Sequence, residues 1–94
     1  MNEFPFEEQK IEDNIFIRIF SNDIEYGDLV WHRDREDRVI ESIGKTNWMI
    51  QLDNQLPKEI NSPIFIPMGM YHRLIKGDGE LKLKLIKINN QENE

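Results

Sequence analysis

Apolar residues recur along the chain with the period of strands, not helices. Ile15, Ile17 and Ile19 alternate with Phe16, Arg18 and Phe20, so both faces of this stretch are largely apolar and a strand packed on two sides is expected. Ser21-Asn22-Asp23 closes it with turn residues. Further extended stretches are predicted over residues 25–34, 38–43 and 48–52, and Asp53-Asn54-Gln55 followed by Pro57 breaks the pattern again. Ile64 to Ile66 reads as a short strand bounded by Pro63 and Pro67, and Met70 to Lys76 follows Gly69. Gly77-Asp78-Gly79 is a hairpin turn. In the last strand Leu81, Leu83 and Leu85 face one way and Lys82 and Lys84 the other. After Leu85 the apolar phase slips to Ile86 and Ile88, which predicts a bulge or a change of facing sheet. The segment Glu7 to Asp13 fits a helical turn and an acidic arm equally well.

Seven or eight short strands about ten residues apart, joined by turn chemistry, predict an all-β fold of the sandwich or barrel kind. At 94 residues the chain makes one domain, and its 38% apolar content is too high for a disordered tail. Residues 1–13 carry a net charge of −4 and residues 89–94 a net −2, which leaves the body neutral. The expected division is an acidic N-terminal arm over 1–13, a barrel over 14–88 and an acidic tail over 89–94. Acidic ends on a neutral body offer no electrostatic footprint for nucleic acid or an anionic membrane, so neither is an expected partner. The absence of cysteine removes disulfides, thiolate metal sites and cysteine nucleophiles, so a metal must sit on His and carboxylate. With no secretory leader or membrane-length apolar run, a soluble cytoplasmic protein is expected.

The densest polar feature is Trp31-His32-Arg33-Asp34-Arg35-Glu36-Asp37-Arg38. In an extended chain His32 and Asp34 project from the same face and form a two-ligand claw. His72, the only other histidine, follows the Pro67-Met68-Gly69 turn. Two imidazoles and one carboxylate converging from two strands make the facial triad that leaves positions open on a non-haem iron. Each residue also has a plainer reading: His32 as a solvated residue, Asp34 as a turn carboxylate pairing with Arg33 or Arg35, His72 as a structural histidine. Only a fold that brings the segments together favours the site.

These residues resemble the cupins, small barrels with two linked motifs. Gly27, His32-x-Asp34, Arg38 and Gly44 are similar to the first motif, a Gly-x5-His-x-His followed by Glu and Gly. Asn61, Pro67-x-Gly69 and His72 are similar to the second, a Gly-x5-Pro-x-Gly-x2-His. The likeness covers about residues 25–88 and implies a small cupin-like jelly-roll barrel with a metal at the motif histidines. The departures are that Gly27 is one residue too close to His32, Asp34 replaces a histidine, and Arg38 stands in the place of the glutamate ligand. A guanidinium cannot ligate a metal. What is left, His32, Asp34 and His72, resembles the His-x-Asp…His triad of the iron and 2-oxoglutarate oxygenases. In size and sequence style the chain is also similar to the single-domain cupins of bacteriophages.

The resemblance implies a divalent metal, Fe(II) by preference, in a dioxygenase-like enzyme acting on a small molecule, with 2-oxoglutarate as the candidate cosubstrate. Its carboxylate would need a cation: Arg38 by choice, or Lys82 or Lys84 on the late strand. Arg38 also has two other readings, a surface pair with Glu36 or Glu41 and a support for a buried ligand carboxylate. The competing functional class is a non-catalytic ligand-binding or assembly module that kept the barrel. A third is a structural component whose acidic arm meets a basic partner. No nucleophile elbow, metalloprotease helix or phosphate loop is present. A homodimer through Ile15 to Phe20, apolar on both faces, completes the expectations.

Overall fold

The long strand β8 (Leu81–Ile88) organises the molecule, because it lies at the centre of the larger of two antiparallel sheets. The computed structural model describes residues 6–88. In chain order the remaining strands are β1 (Glu7–Glu12), β2 (Ile15–Phe20), β3 (Asp37–Ser42), β4 (Met49–Leu52), β5 (Lys58–Glu59), β6 (Ile64–Ile66) and β7 (His72–Ile75). The five-stranded sheet runs β1-β2-β8-β3-β6 and the three-stranded sheet β5-β4-β7. The fold is all-β, with a single 3-10 turn at Tyr26–Asp28 as the only helical element among the described residues.

Register explains which side chains point inward. Phe16, Arg18 and Phe20 lie opposite Leu85, Leu83 and Leu81, and Ile40 lies opposite Leu85 on the other side and Ile64 beyond it. These positions form the inner face of the large sheet. The buried Trp48, Ile50 and Leu52 of the small sheet and its lead-in complete one core with them. Each fully buried Leu or Ile contributes about 1.5–3 kcal/mol relative to exposure, so the leucine row of β8 is a major source of stability. Trp48, wholly buried, tilts against Phe20 at 6.0 Å between centroids and donates its indole N–H to Gly79 O at 3.1 Å. Burying an indole is costly unless its one donor is satisfied, and the Gly77-Asp78-Gly79 turn supplies that acceptor.

The pattern of the sequence is altered in three places. Residues 25–34, expected as a strand, make the 3-10 turn and then an extended run whose one ladder contact is an isolated bridge at His32, because no neighbouring strand lies alongside the rest. The phase slip after Leu85 is not a bulge. Pairing runs unbroken from Phe20↔Leu81 to Ile15↔Ile86 and from Ser42↔Leu83 to Asp37↔Ile88, so Ile86 sits on the outer face in one row with Ile15, Val39 and Phe65. Glu7–Glu12 is a fully exposed edge strand, so the sheet reaches into the segment expected as an arm. Asn14, at a φ of 69°, takes the left-handed conformation that turns β1 into β2, one that asparagine tolerates better than most residues. With β1 covering it on one side and β8 on the other, β2 has no free edge. Any contact between copies through Ile15, Ile17 and Ile19 must use their outward face. The tail over 89–94 lies outside the described residues.

Gly77 is required by close approach: a Cβ there would stand 2.3 Å from Asn47 Oδ1 and 2.6 Å from Trp48 N, whereas nothing lies within 4 Å of a Cβ at Gly27. Gly77→Ala is therefore expected to cost about 2 kcal/mol or more by displacing the Trp48 segment. Gly27→Ala is expected to be near neutral, and urea unfolding of the two variants checks the contrast.

Candidate metal centre and cavity

His72 opens β7, whose pairing with β4 turns His72 and Leu74 inward beside Leu52 and Ile50. His32 reaches the same place through a two-way backbone bridge, His32 N–H to His72 O at 3.0 Å and His72 N–H to His32 O at 2.9 Å. Asp34, two residues on, is tied to the proline-glycine turn ahead of β7, because Gly69 N–H donates to Asp34 O at 2.9 Å. Asp37 extends the same fastening by accepting from Met68 N–H at 2.7 Å. Gly69 holds a φ of 80°, which aims its N–H back at the 32–37 segment at little steric cost. The two segments singled out by sequence are thus stitched backbone to backbone, and His32, Asp34 and His72 offer ligand atoms no more than 4.8 Å apart.

Tautomer follows from the hydrogen bonds. His32 Nδ1 lies 3.0 Å from Val30 O and His72 Nδ1 lies 2.8 Å from Met70 O. A carbonyl oxygen only accepts, so each Nδ1 carries a proton and, in the neutral ring, Nε2 is the atom left to ligate a metal. The rings pack at 4.3 Å between centroids. Asp34 Oδ2 lies 3.3 Å from His72 Nε2 and 3.4 Å from Arg38 Nε, and is the one buried side-chain N or O without a hydrogen bond among the described residues. A proton on His72 Nε2 or a metal ion shared with it would each satisfy that oxygen. Bonds of about 2.1 Å to a divalent ion set ligand atoms roughly 3 to 3.4 Å apart, which the Asp34–His72 separation of 3.3 Å meets, and all three ligand atoms lie within 4.8 Å of one another. The donor set therefore fits a divalent metal.

The charge state is shaped by the surroundings. His32 titrates below its ordinary value, first because partial burial penalises the imidazolium and then because His72 stands beside it. Burial alone would raise the Asp34 carboxyl, but the His72 contact and the charge of Arg38 outweigh it and hold the pKa below the usual carboxylate range. Both groups are thus kept in the forms a metal needs, a neutral imidazole and an ionised carboxylate.

A cavity of about 310 Å³ opens from the triad between the two sheets, lined mainly by apolar side chains including Phe6, Phe20, Ile40, Leu74 and Leu83. Arg38 faces it, as parity from β3 requires, but its Nε bonds Glu36 at 2.5 Å and approaches Asp34 at 3.4 Å. Of its three readings, the pair with Glu36 and the support of Asp34 hold together, and neither leaves Arg38 as an uncommitted clamp. Lys84 lies opposite Ile17 and Glu41 on the outer face, where Lys82 also points, so the late-strand lysines do not reach the cavity. The sequence reading missed Arg18, whose guanidinium lines the cavity from β2. Its signal was a lone cation sharing the Phe16 and Phe20 face.

The comparisons with known proteins bear on the fold. The DMSP lyase DddQ from Ruegeria pomeroyi DSS-3 superposes with a TM-score of 0.68 at 11% identity, over 85% of this chain. The chain spans only 40% of DddQ. A cupin domain from Bordetella pertussis Tohama I matches with a TM-score of 0.62 at 16% identity, over 95% of this chain and 98% of that one. The fold is that of a cupin domain. A cupin-2 domain protein from Shewanella frigidimarina NCIMB 400 agrees, with a TM-score of 0.61 at 17% identity over 95% and 85% of the two chains. No family model matches the sequence, and no curated protein matches it significantly. At these identities the comparisons show the fold alone, and the likeness to bacteriophage cupins rests on size and sequence style. No helix among the described residues is long and apolar enough to cross a membrane.

Acid should destabilise the metal-free protein in two stages. With its folded pKa below the ordinary 6.5, His32 stays neutral while the unfolded chain gains a proton, so stability falls as pH drops from about 6.5 toward the folded value. Asp34, with a folded pKa below 3.8, contributes fully above that pH and loses its contribution as pH falls through the folded value. Urea midpoints measured with chelator from pH 7.5 to 2.5 should show both declines, His32→Asn flattening the upper one and Asp34→Asn the lower.

Proposed function

We propose that this protein is a mononuclear metal-binding cupin, with Fe(II) as the preferred ion, that binds and transforms a small molecule in the cavity beside the metal. The observation that carries the reading is the convergence of His32, Asp34 and His72, with ligand atoms within 4.8 Å of one another, around a buried Asp34 Oδ2 that has no hydrogen bond. His32, Asp34 and His72 would hold the ion. Two imidazoles and one carboxylate keep coordination positions free, so a bound ferrous ion would supply activation of dioxygen and of a substrate donor atom.

The chain's own residues have separable tasks. Val30 O and Met70 O fix the imidazole orientations, which typically matters 10–100-fold in metal affinity. Arg38 keeps Asp34 ionised and aimed, and the apolar walls exclude water from a bound ligand. That DddQ is a lyase on a similar fold supports a catalytic use of such a chamber. The expected anchor for 2-oxoglutarate, Arg38, already serves Asp34 and Glu36, so that cosubstrate is not part of the proposal. The same ion pair favours the second reading, ligand binding without catalysis, because a guanidinium already offsets part of the Asp34 charge without any metal.

Metal titration decides between them. Zn(II) calorimetry and Co(II) absorption should show one equivalent bound, with affinity lowered by roughly two orders of magnitude or more in His72→Ala. Arg33→Ala should be unaffected, because Arg33 lies outside on the Tyr71 ring at 5.1 Å. Equal affinity in wild type and His72→Ala removes the metal reading and leaves the non-catalytic one.

A further inference from the structure

Arg18 is an unusual residue for the inner face of β2. Its neighbours in that face are Phe16, Phe20 and, across the ladder, Leu83, and its side chain is only 17% exposed. One partner is accounted for: Nε donates to Glu8 Oε2 at 2.6 Å, on the exposed strand β1. The guanidinium plane also rests on the Phe6 ring, 4.2 Å from its centroid. Its terminal Nη groups make no hydrogen bond among the described residues, yet they are not sealed, since Asp34 Oδ2 alone is both buried and unbonded there. A largely buried cation with open donors costs free energy unless something accepts from them. The open side is the cavity, which Arg18 lines from the large sheet while His72 lines it from the small one.

The charges of that lining point the same way. Arg18 and Arg38 face Asp28 and Asp34. A divalent ion at the triad would add two positive charges to that lining. Between the charged groups the wall is apolar, built from Phe6, Phe20, Leu74 and Leu83. Cation, apolar wall and metal centre in one chamber of about 310 Å³ suit a small ligand with one anionic end.

We propose that Arg18 is the anion anchor of this cavity and that the ligand is a small carboxylate with an apolar body, its carboxylate bonded to the Arg18 guanidinium and its body directed toward the metal centre. The inference rests on the cavity being the ligand chamber of the proposed function, but Arg18 needs no metal to act. Glu8 is then a competing internal carboxylate that satisfies part of the fork while the chamber is empty of ligand. A planar fork bonds a carboxylate through two parallel hydrogen bonds, so lysine at this position would be a poor substitute.

Hexanoate is the probe, with 1-hexanol as the neutral control of equal length, titrated by calorimetry into chelator-treated protein and into Co(II)-loaded protein. Wild type should bind hexanoate in both forms. Arg18→Gln should weaken it at least tenfold, Arg18→Lys by less, and neither should change the affinity for hexanol. Glu8→Gln should tighten hexanoate binding severalfold by removing the competitor, an effect that a purely structural Arg18 would not give and that survives even if Arg18→Gln is poorly folded. The Co(II) bands should not shift on adding hexanoate. No binding to wild type, equal binding to Arg18→Gln, weaker binding to Glu8→Gln, or a band shift marking carboxylate on the metal would each overturn the assignment. Hexanoate binding to chelator-treated wild type needs no metal, so failure of the metal reading, seen in the Co(II) titration, and failure of the Arg18 reading give different results.

Discussion

The site depends on the paired hydrogen bonds between the backbones of His32 and His72. The 25–36 connection has no strand partner of its own apart from that bridge, so without it the loop would be free to swing and His32 and Asp34 would have no fixed relation to β7. Two backbone bonds, reinforced by Gly69 N–H on Asp34 O, turn an irregular loop into a wall of the chamber. Side chains then inherit their placement: His72 and Leu74 inward by the parity of β7, and His32 and Asp34 inward because an extended residue alternates whether or not it belongs to a sheet.

Electrostatics at this wall are arranged by subtraction. Each imidazole bonds a carbonyl through Nδ1, each arginine of the cavity bonds a glutamate through Nε, and the groups left over are ring Nε2 atoms and a carboxylate oxygen at one end and guanidinium donors elsewhere. Such a set is expensive in isolation, since ionised groups removed from water are stabilised only by partners. The fold bears this cost beside a leucine-rich core, which supplies the surplus stability that an irregular polar wall does not.

How much of this was legible follows from which signals are local. The short strand Ile64–Ile66 and the alternating start of β8 were readable because prolines and a glycine turn mark their ends. The triad was readable for the same reason, as the i, i+2 spacing of His32 and Asp34 holds in any extended chain. The strand expected over residues 25–34 failed because extension was inferred from composition, while a strand needs a neighbour, and only topology decides that. Ile86 and Ile88 misled in a related way: apolar residues on the outer face look like a change of phase when they are an apolar row shared with Ile15 and Val39. Arg18 stayed hidden because a strand apolar on both faces does not reveal which face is buried, and register with β8 settles that.

The position of β8 has a consequence for how the protein is made. Strands β2 and β3 never pair with each other; each pairs with β8, which is more than 35 residues further along the chain than either. On the ribosome β2 can pair early with β1 and β3 with β6, but the edges of both that join β8 stay open until residues 81–88 clear the exit tunnel. At about 5–20 residues per second that delay lasts several seconds, long enough for a nascent chain to meet another. The exposed, charge-dense edge strand β1, which folds back on β2 through a tight hairpin, can form early and shield one flank of β2 during that interval.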